Sequence, residues 1–119
     1  MSDLAYVSNL RTVRLADVPD LERLFTKIQA TYKPIGVFLY GSRARGEATR
    51  DSDWDLKVIV PDDTPEEVFS PLLGWKLQEG SGVYADVSAA RVSEFEADLN
   101  VANSAAREVL RDGLLIEAR

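Results

Sequence analysis

Residues 53–60, Asp-Trp-Asp-Leu-Lys-Val-Ile-Val, restrict the fold more than any other stretch of the chain. Successive side chains of a strand point to opposite faces. Trp54, Leu56, Val58 and Val60 therefore share one face, and Asp53, Asp55, Lys57 and Ile59 share the other. The wholly apolar face has to lie under helices, which leaves two aspartates side by side on the opposite face. Aspartate is depleted in strands, and like charges at that spacing repel. The plain account is that Asp53 caps a turn and Asp55 faces solvent; a divalent cation held between them gives the pair a reason to exist.

A second short apolar run, Val37 to Tyr40, is dense in β-formers and closes on Gly41-Ser42. A strand that delivers Gly-Ser into a turn presents small residues and free backbone N–H groups to a phosphate, the more so if a helix begins just after Ser42. Taken alone, Gly41-Ser42 is an ordinary turn; the Asp-x-Asp pair at 53 and 55 lends it meaning, since paired carboxylates hold divalent ions that bridge nucleotide phosphates. Arg43, Arg45 and Arg50 lie between the two features. Arg43 and Arg45 either meet phosphate there or stay solvated. Gly46 serves backbone geometry, and Lys57 either holds a phosphate or pairs with an aspartate.

The remaining pattern supplies the scaffold. A helix is expected from a cap at Asp17 to a stop at Pro34, with Leu21, Leu24, Phe25 and Ile28 on its buried face. Thr64-Pro65-Glu66-Glu67 should start another helix, interrupted at Pro71 and Gly74. Residues 83–88 read as a third strand, with Asp86 on the face of Tyr84 and Ser88. Ser93 to Glu96 read as the cap of a short helix. A last helix over 101–112 should end at Gly113, followed by an edge strand at Leu114-Leu115-Ile116. The first 16 residues are the least readable. Alternating strands and helices give an α/β (α+β) two-layer fold, and the lack of repeats or linker-like stretches gives one domain over residues 1–119.

Composition narrows the chemistry. With no cysteine and no histidine, thiolate and imidazole ligands are excluded, so a metal site must be built from carboxylates, which favours hard ions such as magnesium. A net charge of −6 gives no general attraction for extended nucleic acid. No apolar run suits a membrane span and the N-terminal residues do not read as a signal peptide, so the expected location is cytoplasmic.

The order Gly41-Ser42, Gly46, Ser52-Asp53, Asp55-Leu56 resembles the signature of the DNA polymerase beta-like nucleotidyltransferase superfamily, and most closely its minimal nucleotidyltransferase group. That resemblance implies a mixed β-sheet with helices packed mainly on one face. It implies that Gly41 and Ser42 contact the terminal phosphates of ATP or another nucleoside triphosphate, and that Asp53 and Asp55 ligate two Mg2+ ions. A third carboxylate usually comes from a later strand, where Asp86 fits best. The implied reaction moves a nucleoside monophosphate, AMP from ATP, to a hydroxyl. Minimal nucleotidyltransferases often act as antitoxins that modify a tyrosine of a small helical HEPN-type toxin. Competing readings are a non-catalytic binding module and transfer to a small molecule or RNA end, the latter by a homodimer sharing its site. A protein partner would require an exposed apolar patch, and Trp54 and Trp75 are candidates for core or partner contact.

Overall fold

In the computed structural model, which describes residues 10–118, the alternating segment forms β3 (Trp54–Val60), with Asp53 just ahead of it. The other strands are β1 (Arg11–Arg14), β2 (Gly36–Tyr40), β4 (Ala85–Arg91) and β5 (Leu114–Glu117). They form one mixed sheet in the order β1-β5-β2-β3-β4. β2 runs antiparallel to β3 and β5, whereas β3 with β4 and β1 with β5 are parallel.

The apolar face of β3 is buried as its periodicity requires. Trp54, Leu56, Val58 and Val60 meet Val37 and Leu39 of β2 and Leu24, Phe25, Ile28 and Tyr32 of α1 (Glu22–Tyr32). Leu73 and Leu77 of α3 (Pro71–Gln78) pack against this larger cluster. A smaller cluster lies on the other face. Phe38 and Ile59 are covered there by Val92 and Phe95 of α4 (Val92–Asp98) and Ala106 and Val109 of α5 (Ala105–Asp112). The Phe38 and Phe95 rings stack with centroids 6.0 Å apart. Fully burying such side chains contributes about 1.5–3 kcal/mol each, so the short helices are held by their apolar faces rather than by propensity.

Several boundaries differ from the sequence reading. Asp17 caps no helix: it ends a 3-10 turn and accepts hydrogen bonds from Arg14 Nε and Nη2 (3.2 and 3.4 Å). Pro19 opens a second 3-10 turn, and α1 starts only at Glu22. It stops where Lys33 turns left-handed, just before Pro34. Residues Glu66–Phe69 form only a 3-10 turn, and Pro71 begins α3 instead of interrupting a helix. Proline suits that first position because its missing N–H has no helical partner there. Ser70 caps the helix by accepting from Leu72 N at 3.2 Å. Gly74 sits within α3 because a Cβ there would come within 2.7 Å of the Val87 carbonyl oxygen.

β4 starts later and ends later than 83–88, since pairing with β3 draws Ala89, Ala90 and Arg91 into the ladder despite weak strand propensity. α4 begins at Val92, and its first turn is capped from another loop, with Ser93 N donating to Asp62 Oδ1 at 3.0 Å. α5 begins at Ala105 behind a Ser104 cap, leaving Val101 outside it and exposed. The largest correction concerns β5. It is no edge strand but lies between β1 and β2, because Arg11–Arg14, with one apolar residue to betray it, pairs along its outer side. Among the described residues no helix is long and apolar enough to cross a membrane.

Candidate active site

The register aligns residues of three strands in rows across the sheet. Tyr40 of β2 faces Asp55 of β3, which faces Asp86 of β4. The next row on the same face is Phe38, Lys57 and Ser88. Phe38 belongs to the smaller cluster, so the α4–α5 layer walls one end of this face and the first row lies beyond it, toward the start of β3.

Gly41 follows Tyr40 directly and turns the chain into α2 (Ser42–Arg45), a single helical turn closed by Gly46 in the left-handed region. The Gly41 carbonyl accepts from Ala44 N and Arg45 N, both at 3.1 Å. The first N–H groups of a helical turn have no partner within it. Gly41 has φ +77° and ψ −157°, and a Cβ on it would overlap the Asp55 carboxylate. Glycine therefore lets the turn and the acid of the neighbouring strand touch.

Asp55 is half-buried, whereas Asp53 and Asp86 are exposed. Burial raises the Asp55 carboxyl above the usual range, and the negative charges of Asp86, Asp53 and Glu108 raise it further against a weaker pull from Arg45. Lys57 is half-buried and its ammonium is lowered by burial, with Asp98 and Asp86 opposing. The Tyr40 phenol is raised first by burial, then by Asp55 and Asp86, while a hydrogen bond with Ser88 acts in the opposite sense. The site thus carries excess negative charge on oxygen donors, the chemistry that suits a hard divalent cation. Among the described residues, however, no three acidic side chains are gathered into a group that would hold a metal.

Arg43 and Arg45 are held by groups of the chain itself. Arg43 donates to the backbone carbonyls of Thr49, Arg50 and Ser52. Arg45 pairs with Glu47 at 2.9 Å and lies 3.7 Å from Asp112. Trp54 is core and Trp75 is exposed. Two polar groups at the site escaped sequence reasoning. Tyr40 was legible in principle, two residues after Phe38 and the last of its strand before Gly41. Glu108 left no local signal, since only the packing of α5 over the sheet brings its charge to Asp55.

A family model described as nucleotidyltransferase domain matches residues 21–113. No curated protein matches the chain. Among solved structures, a toxin-antitoxin crystal structure with AMP-PNP contains a chain that superposes with a TM-score of 0.55 at 19% identity, covering 82% of this chain and 73% of that one. At that identity the likeness is one of fold.

Proposed function

The chain belongs to the nucleotidyltransferase domain family, and from that premise we propose that it is a Mg2+-dependent enzyme moving AMP from ATP to a hydroxyl of a protein partner. The observation that carries this reading is the alignment of Asp55 and Asp86 on one sheet face, directly beside the Gly41-Ser42 turn.

In the proposed reaction the N–H groups after Gly41, with the Ser42 hydroxyl, bind the terminal phosphates. Lys57 adds positive charge from the neighbouring row. Asp53, Asp55 and Asp86 would hold two Mg2+ ions, which when bound neutralise the triphosphate and favour ionisation of the attacking hydroxyl. Asp86, on the outermost of the three aligned strands, accepts the acceptor's proton. The acceptor oxygen bonds to the α-phosphorus as its bond to the bridging oxygen of the β-phosphate breaks, and pyrophosphate leaves.

A protein acceptor is supported by exposed apolar side chains on the helix packed against β4 and on the residue just before that strand. Leu72 and Trp75 on α3 and Tyr84 before β4 are 57%, 59% and 78% exposed, and Trp75 and Asp86 line a common groove. We assign that acceptor as a small helical HEPN-type toxin modified on tyrosine, which makes this chain the antitoxin. The solved relative in fold is itself part of a toxin-antitoxin structure with a nucleotide analogue. Incubation with each nucleoside triphosphate, Mg2+ and the candidate partner is expected to add the mass of one nucleotide to a partner tyrosine. Absence of adduct and pyrophosphate with every acceptor would favour a non-catalytic binding module, the reading consistent with acids not gathered around a metal position.

Asp86→Ala tests the third carboxylate. Asp86 is exposed, so the variant should fold as the wild type does. Transfer is expected to fall by at least about 100-fold, the upper range for residues that only support a metal's ligands. Unchanged transfer would place the third carboxylate elsewhere.

A further inference from the structure

Arg43 follows Ser42 in the turn, where a phosphate contact is the first expectation, yet its guanidinium is turned back onto the chain. Nε and Nη2 donate to the Ser52 carbonyl at 3.1 and 2.7 Å, and Nη2 reaches the Thr49 and Arg50 carbonyls at 3.3 and 3.2 Å. The group also lies over the Trp54 ring, 4.1 Å from its centroid. We propose that Arg43 is a positioning residue that clamps the 49–52 loop, and through it the Asp53 carboxylate, against the phosphate turn. The inference rests on the functional reading above and moves Arg43 from the phosphates to the metal side of the site.

The need for a clamp follows from the ladder. Strand pairing with β4 begins at Trp54 and pairing with β2 reaches only Asp55, so neither pairing holds Asp53. The loop before it is a self-contained turn, in which Thr49 N donates to Ser52 Oγ at 2.9 Å and Ser52 N to the Thr49 carbonyl at 3.1 Å. Such a turn could swing as a unit. Arg43 ties it to α2 through the Ser52 carbonyl, one peptide from Asp53. Charged donors strengthen these bonds, and the buried Trp54 ring gives the guanidinium a fixed floor. A lysine ammonium keeps the charge but cannot reproduce a planar fork spread over several carbonyls.

Arg43→Lys separates a clamp from a phosphate contact. Amide hydrogen exchange at residues 51–53 should accelerate while the β2–β3 ladder stays as protected as in the wild type. Mn2+ binding without nucleotide should weaken by about 10- to 100-fold. Because a misplacement of about 1 Å can cost about 100-fold, kcat should fall by that order with KM for the nucleotide unchanged. Unchanged exchange at 51–53, with KM raised and kcat retained, would overturn the clamp and restore the phosphate contact. Should Arg43→Lys fail to fold, Arg43→Ala with added guanidinium asks the same question: slowed exchange at 51–53 on addition supports the clamp, and no response refutes it. If the wild type neither binds Mn2+ nor transfers a nucleotide, the functional reading falls and the exchange data alone decide the clamp.

Discussion

Asp55→Asn is expected to raise the unfolding temperature of the metal-free protein at pH 7 while reducing nucleotide transfer by at least about 100-fold. The two effects share one cause. Burial and the charges of Asp86, Asp53 and Glu108 raise the Asp55 carboxyl in the folded chain. An acid whose folded pKa is raised favours folding below its unfolded value, near 4 for aspartate, and that contribution is lost as pH rises through the folded value. Above its unfolded value the acid therefore weighs against folding, and an uncharged amide of similar shape removes that penalty. Calorimetry in chelator should find the two proteins equally stable at acidic pH and the variant ahead above the folded pKa. Added Mg2+ should then stabilise the wild type and narrow or reverse the gap, since a ligand that binds only the folded state adds to its stability. A variant less stable than wild type at neutral pH in chelator would refute the electrostatic account; retained transfer would remove Asp55 from the site.

Gly41→Ala should damage both the turn and its neighbour. Gly41 occupies φ +77°, ψ −157°, a region open essentially to glycine, where another residue costs about 1–3 kcal/mol. The new methyl would also overlap the Asp55 carboxylate, so the turn must move away from β3 or Asp55 must leave its place. Denaturant unfolding should register the lost stability, and titration with a non-hydrolysable triphosphate should find binding abolished. Wild-type affinity in this variant would mean that the turn does not form the phosphate contact.

Much of this was legible because the decisive segments are locally consistent. The alternation at 54–60 predicts which side chains of β3 enter the large core, and Gly41-Ser42 predicts a turn into a helix. The family resemblance asks for a third carboxylate on a later strand, and strand-like sequence around Asp86 made it the best fit; the register sets it opposite Asp55. Elements defined by their neighbours were not legible. Arg11–Arg14 is a strand because β5 offers it an edge, and Ala89 to Arg91 extend β4 because β3 runs alongside. Pro71 misled because proline interrupts a helix from within but starts one from its first position. The contacts of Arg43 were hidden too, since no sequence pattern says which carbonyls a guanidinium will meet.

The place of β5 has a consequence for the order of assembly. All the acids proposed for catalysis, and the phosphate turn, precede α4, so a chain growing from its N-terminus has them in hand before Leu114 is added. Until β5 arrives, β2 has no partner on one side and β1 has none in the sheet. The strand that completes the sheet is thus the last made, and it must enter between two segments already present. Closure by such distant contacts is slow, and an unpaired sheet edge invites association with other chains meanwhile. In this protein every residue proposed for the chemistry therefore precedes the strand, residues 114–117, on which completion of the sheet waits.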